Sequence, residues 1–244
     1  MIQLNEVPKI SLTNLMGQKD VVRHIFLNGL RYHDTKYGAL PGVTTVLGET
    51  KDKYTQRALG AWGKRVGAVE AKRLQQAGLD RGNFIHALIE GYILGEHPWD
   101  IELALSPQYL GLSELFLTFV QARVRNPIYL EKSFASTDGY AGSPDFVGYD
   151  NKGKIALYDW KTSGKKKTKS QVKDYFVQVA TYWAMVEQES SVKIDYASVA
   201  LGYSDPEKGD KMNEWKITKE EQVVLYQQFL DRLEKFNNLH NPTF

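Results

Sequence analysis

Gly142-Ser143-Pro144-Asp145 and, after thirteen intervening residues, Asp159-Trp160-Lys161-Thr162-Ser163 are the stretch that determines the fold of this chain. Both segments lie beyond Asn126-Pro127, where apolar residues recur with a period of two. That period predicts strands over 128–133, 141–149 and 154–162, the last two joined by the turn Asp150-Asn151-Lys152-Gly153. Side chains alternate along a strand, so Asp159 and Lys161 project to one side and Trp160 to the other. If the last two strands form a hairpin, Asp145 comes close to Asp159.

Two neighbouring carboxylates are costly without a cation, and a hard divalent ion with oxygen ligands removes that cost. Lys161, on the same face, adds a positive charge that can hold an attacking water and offset charge developing on a phosphate. This is the smallest set of groups for metal-assisted phosphodiester hydrolysis. The competing reading is a surface ion pair. Against it, Ile155, Ala156, Leu157, Tyr158 and Trp160 make both faces of the segment mostly apolar, as in an interior strand.

Working outward, a helix is expected from about Ser170 to Gln188, a strand over 194–203, a short strand over 213–217 and a closing helix from about Lys219 to Asn238. On the other side, His24 to Leu27 and Leu30 to His33 flank Asn28-Gly29, a strong signal for a two-residue hairpin. From Leu40-Pro41 the chain is expected to turn helical, through Lys51 to Gly95 with a break at Ala77-Gly78-Leu79, and a second helix is expected from Gln108 to about Arg123. The expectation is one domain over 1–244: a hairpin and helical part over 1–125, then a βββαβ unit and terminal helix over 126–244.

Of the 244 residues, 42% are hydrophobic, enough for a substantial core. Lys and Arg number 31 against 29 Asp and Glu, a net charge of +2 that argues against a wholly basic nucleic-acid coat. The charge is unevenly placed. Residues 51–81 hold eight cations and three acids, and residues 152–173 hold eight lysines and one acid. These runs precede Arg81-Gly82-Asn83-Phe84-Ile85-His86 and overlap the Asp-x-Lys strand, so they could draw phosphates toward it from both sides. Tyr54 and Trp62 are either core aromatics or platforms for unpaired bases. The chain has no cysteine, which excludes thiolate zinc and iron–sulfur sites and leaves His, carboxylates and backbone oxygens as ligands. No apolar run is long enough for a membrane span, and Met1 to Asp20 resembles neither a signal nor a transit peptide, so a cytoplasmic setting is expected.

The motifs together resemble the PD-(D/E)XK nuclease superfamily, specifically its RecB-like exonuclease branch, with a likeness to the mitochondrial genome-maintenance exonucleases and their small phage relatives. The branch's Gly-x-x-x-His helix motif is matched by Gly82 to His86, its strand Glu by Glu131 and its Gly-x-x-Asp by Gly142 to Asp145. Its Asp-x-Lys-Thr-Ser is matched by Asp159 to Ser163 and its Gln-x-x-x-Tyr by Gln178 to Tyr182. These matches run in family order over residues 41–203.

The resemblance implies an α/β (α+β) fold with a central mixed β-sheet of the restriction-endonuclease-like core flanked by helices. It implies Mg²⁺ or Mn²⁺ held by His86, Asp145, Asp159 and the Trp160 carbonyl, with Asp145, Asp159 and Lys161 catalytic. Glu131 stays open between a further ligand and an exposed edge residue. Gln178, Tyr182, Arg81, Thr44 and Ser163 are candidates for supporting roles or substrate contact. Two departures stand out. Gly42 occupies a position where the branch often has Ser, which leaves a hydroxyl role there to Thr44 or Thr45. The four cysteines of the cluster-bearing relatives are absent. The expected activity is a metal-dependent exonuclease acting on single-stranded DNA or DNA ends in a bacterial or phage-infected cell. A structure-specific endonuclease on the same core and a non-catalytic DNA-binding module remain as alternatives.

Overall fold

The computed structural model describes residues 23–96, 107–205 and 207–240; the reading of Met1 to Asp20 lies outside them. The chain enters with β1 (His24–Leu27) and β2 (Leu30–Thr35), paired so that Leu27 faces Leu30 across Asn28-Gly29. Both turn residues have positive φ, 51° and 78°, the geometry that matches the twist of a tight hairpin. A third strand, β3 (Gly38–Pro41), pairs with β2. The sequence predicts a helical region from Leu40, but Leu40 and Pro41 close this strand; Gly38 and Pro41 are turn-forming residues, yet both fit the ends of a short strand. Helix α1 (Val43–Glu49) then begins two residues after Pro41.

Helix α2 (Lys53–Val66) starts at Asp52, whose side chain accepts from the Thr55 amide at 2.7 Å, and α3 (Ala68–Ile93) follows. The break expected at Gly78 is at Gly67, where φ is 83°, and α3 runs through 77–79 unbroken. A lone glycine inside a helix costs only about 1 kcal/mol relative to Ala, which neighbouring turns absorb. No residue of α2 is buried, whereas the second half of α3 places Phe84, Ile85, Leu88, Ile89 and Tyr92 in the core.

After a short 3₁₀ turn, α4 (Leu110–Arg123) leads into β4 (Val124–Leu130). The expected strand over 141–149 is two strands. β6 (Tyr140–Gly142) pairs with β5 (Phe134–Ser136), and β7 (Phe146–Asp150) pairs with β4 and with β8 (Ile155–Ser163). Pro144 divides them; it has no amide proton to continue a ladder. Helix α5 (Lys173–Glu189) is the crossover that a parallel pair needs, linking β8 to β9 (Tyr196–Asp205). β10 (Gly209–Ile217) returns antiparallel and α6 (Lys219–His240) closes the chain.

The central sheet has the order β10-β9-β8-β7-β4, mixed in direction and flanked by helices, as expected for a restriction-endonuclease-like core. β8 lies in its middle and faces two cores. Leu157 packs into the cluster with Val179, Trp183, Phe229 and Phe236 from α5 and α6, while Ala156, Tyr158 and Trp160 join α3 and α4. The alternation read from the sequence thus sets Asp159 and Lys161 toward α5, and Trp160 toward the other core. No helix among the described residues is long and apolar enough to cross a membrane.

Candidate metal centre and active site

The ends of three neighbouring strands build the site. Leu130 pairs with Phe146, and one step further the Glu131 amide donates to the Asp145 carbonyl at 3.1 Å, so these two acids stand at the same end of the β4 and β7 pair. Phe146 in turn faces Tyr158, which brings Asp145 beside Asp159 and Trp160 on β8. The Trp160 amide donates to Asp145 Oδ2 at 2.6 Å.

From the opposite side α3 delivers His86. Its Nε2–H donates to the Trp160 carbonyl at 2.8 Å, leaving Nδ1 3.5 Å from Glu131 Oε1 and 3.7 Å from Asp145 Oδ1. Ligand atoms of His86, Glu131 and Asp145 all lie within 4.8 Å of one another. One imidazole nitrogen and two carboxylates suit a hard or borderline divalent cation, and a backbone carbonyl on the other ring nitrogen is a common way of orienting a metal-binding histidine. Such a cation would hold these three groups together.

Glu131 has φ of 50°, and Asn28 in the hairpin turn is the other described non-glycine residue with positive φ. A side chain in that region costs about 1–2 kcal/mol. The strain turns the chain off the sheet edge and aims the carboxylate at His86. This direction could not be read from the sequence, because φ at position 131 is not set by its neighbours.

Asp159 is fully buried, and its Oδ2 is paired with Lys161 Nζ at 2.5 Å. Gln178 Nε2 reaches Asp159 Oδ1 at 3.4 Å and the Tyr182 hydroxyl at 3.1 Å. The site therefore has two parts. His86, Glu131 and Asp145 form one, and Asp159, Lys161, Gln178 and Tyr182 the other, joined by Trp160. The sequence reading grouped His86, Asp145, Asp159 and the Trp160 carbonyl; here the carbonyl accepts from His86 and Asp159 engages Lys161.

Burial dominates the electrostatics. It raises the Asp159 carboxyl to about 6, with Lys161 opposing and Asp145 adding to the rise. It raises Asp145 too, against His86 and Lys161. Burial alone would lower Lys161, but Asp159 and Asp145 outweigh it and hold the ammonium charged. For His86 the lowering by burial is overcome by Asp145 and Glu131, and its pKa reaches about 9. Positive charge is thus favoured between the two acids.

The site opens into a cleft of about 550 Å³ lined by α3 residues Gly82, Asn83, His86 and Glu90 on one side and by Lys161 and Thr162 on the other. A methyl group at Gly82 would make ordinary contact with Thr162 Oγ1 at 3.9 Å, so this glycine leaves open space in the cleft and is not forced by a close helix approach. Arg81 extends its guanidinium between Gly78 and Gly164, at the junction of α3 with the loop after β8. Thr44 is exposed and accepts from Arg31 Nη2 at 3.2 Å, outside the cleft walls, while Thr45 Oγ1 donates to the Arg31 carbonyl. Ser163 accepts from the Lys165 amide at 3.3 Å and shapes that loop. A Cβ at Gly42 would lie 2.9 Å from His33 Nε2, so a larger residue there would have to displace that ring.

The two basic stretches adjoin. Lys173 Nζ meets Asp52 Oδ2 at 2.6 Å, tying the start of α5 to the start of α2. Tyr54 on α2 is 82% exposed, so it is not a core aromatic, and Trp62 is half-buried.

The family model described as the PD-(D/E)XK nuclease superfamily matches residues 111–244. No curated protein matches the chain. Among solved structures, one from Eubacterium rectale described as a "Putative exonuclease" is similar over 66% of this chain and 68% of its own, with 12% identity and a TM-score of 0.44. The protein SSO0001 is similar over 55% of this chain and 63% of its own, with 15% identity and a TM-score of 0.33.

Proposed function

The chain belongs to the PD-(D/E)XK nuclease superfamily, and from that premise we propose that it is a divalent-metal-dependent deoxyribonuclease of the RecB-like branch, an exonuclease acting on single-stranded DNA or DNA ends. The observation that carries this reading is the convergence of His86, Glu131 and Asp145 beside a cleft whose wall includes Lys161, paired with buried Asp159.

His86 Nδ1 and the carboxylates of Glu131 and Asp145 would hold Mg²⁺ or Mn²⁺, with Asp159 as a further oxygen donor. The chemistry such an ion supplies is charge neutralisation at the phosphate and acidification of a nearby water. The Trp160 carbonyl fixes the imidazole so that Nδ1 faces the acids. Lys161 Nζ, held as the ammonium, donates hydrogen bonds: it orients the water and counters charge growing on a phosphate oxygen. Gln178 and Tyr182 steady Asp159, the partner of Lys161. In-line attack would leave 5′-phosphate and 3′-hydroxyl ends.

The preference for single strands is supported by α2, where exposed Tyr54 and half-buried Trp62 alternate with Lys53, Arg57, Lys64 and Arg65. Work in replication, recombination or DNA breakdown in a bacterial or phage-infected cell is part of the same reading. A time course on end-labelled single-stranded and duplex DNA, with Mg²⁺ and with EDTA, tests it. Linear strands should be shortened from an end only with the ion, and closed circular single strands should stay intact. Nicking of the circle would favour an endonuclease, and binding without cleavage in Mn²⁺ would favour a non-catalytic module.

A further inference from the structure

Consecutive residues line two depressions. Glu131 faces the cleft, while Lys132 and Ser133 open onto a second groove of about 400 Å³. Ser133 and the β5 residues Phe134 and Ala135 run along this groove, and the next residue, Ser136, donates its hydroxyl to Gln188 Oε1 at 2.8 Å, next to Glu189. Three residues of strand span about 10 Å, so the groove extends that far from Lys132 and Ser133, which follow Glu131 in the chain, toward Glu189.

Its two ends differ in charge. At the near end stand the Lys132 ammonium and the Ser133 hydroxyl, the latter bonded to Ser143 Oγ at 2.7 Å, two residues from Asp145. At the far end are Lys36, Asp34 and Glu189. Lys36 Nζ donates to Glu189 Oε2 at 2.6 Å, so its charge is matched and Asp34 leaves that end net negative. The wall between is apolar, made by Phe134 and Ala141 together with the buried His33 ring. Burial, His24 and Arg31 push the His33 pKa down to about 4, so the ring is neutral near pH 7 and attracts no phosphate.

A volume near 400 Å³ is that of a small-molecule site and suits a single nucleoside. A strand with its scissile phosphate at the metal-binding acids would place the adjoining phosphate by Lys132 and Ser133, and the following sugar and base along the apolar wall. A continuing strand would then set its next phosphate against two carboxylates with one cation. A strand that ends there in a hydroxyl meets no such repulsion.

We propose that this groove seats the terminal nucleoside of a DNA strand, one that ends in a free hydroxyl, and that Asp34 and Glu189 exclude a terminal phosphate. The proposal rests on the nuclease reading and explains how the site would favour ends.

The test is equilibrium binding of a fluorescent single-stranded oligonucleotide to the full chain in EDTA, with hydroxyls at both ends or with a phosphate at the 5′ or the 3′ end. A phosphate at one of the two ends should weaken binding roughly tenfold, equivalent to about 1.4 kcal/mol, and a phosphate at the other end should have little effect. Asp34→Lys, a change at an exposed position, should reduce that penalty to within about threefold, since it converts a repulsive charge to an attractive one. Equal binding of all three oligonucleotides, an unchanged penalty in Asp34→Lys, or no binding of any of them would overturn the proposal. Because no metal is present, loss of cleavage in Mg²⁺ with this binding pattern intact would count against the nuclease reading alone.

Discussion

Replacing Glu131 by Gly and, separately, by Ala removes the same carboxylate but treats the backbone differently. With φ at 50°, Glu131 carries a Cβ in the left-handed region, at a cost of about 1–2 kcal/mol. Ala keeps that cost and Gly removes it, while Gly loses about 0.5–1 kcal/mol in extra backbone entropy on folding. The Gly variant should therefore be more stable than the Ala variant by about 0.5–1 kcal/mol, the reverse of the order at an ordinary strand or helix position. In a chain of 244 residues this is about 1–4 °C in Tm. Urea denaturation and thermal melts in EDTA read the difference. Repeating them in Mn²⁺ reads the metal. At a hundredfold excess over Kd the wild type should gain about 2.7 kcal/mol, and both variants should lose most of that gain. If the Ala variant equals or exceeds the Gly variant in EDTA, the strain argument is wrong. If both variants keep the full Mn²⁺ stabilisation, Glu131 is not a ligand.

Asp159→Asn and Lys161→Ala should each lower cleavage at least about 100-fold, and Lys161→Ala should also lose about 3–5 kcal/mol of stability at neutral pH by leaving Asp159 buried without its cation; turnover assays beside denaturation curves separate the two effects. Gly142→Ala would set a Cβ 2.7 Å from Tyr182 Cε1, so it should cost about 1–3 kcal/mol and slow cleavage through Tyr182 and Gln178, with unaltered melting as the contrary result. Asp150 accepts from the Lys152 and Lys154 amides and the Tyr196 hydroxyl, and although burial raises its pKa these bonds bring it below the ordinary value. Its charged form thus stabilises the fold above about pH 4 and that contribution fades as pH falls further. Asp150→Asn should be less stable than wild type by about 1–2 kcal/mol at neutral pH, the gap closing in acid; a gap that is constant with pH would contradict this.

The legible parts of the chain are those governed by local chemistry. Asn28-Gly29 specifies its turn because both residues tolerate positive φ, and the alternation of Asp159, Trp160 and Lys161 follows from the pleat of any strand. The Gly67 break was missed because both Gly67 and Gly78 offer the same freedom, and only packing of the second half of α3 selects the first. β5 is too short to show a period, and the pattern over 141–149 runs across Pro144 without marking that partners change there. Glu131 could not be assigned because its direction comes from one dihedral angle at the end of β4. Thr44 is marked by a motif, and the engagement of its hydroxyl with Arg31 comes from a strand thirteen residues away that the motif does not include. Lys132 and Ser133 carried no signal at all, since their groove is closed by Asp34, Lys36 and Glu189 from distant parts of the chain.

Calorimetric titration of Mn²⁺ into the wild-type chain, and into Asp145→Asn and His86→Ala, bears most directly on the metal centre. The arrangement predicts saturable binding by wild type at micromolar to millimolar Mn²⁺, with each variant at least about tenfold weaker, since loss of one ligand removes about 1.4 kcal/mol or more. Binding of equal affinity in all three proteins, or none in wild type, would contradict it.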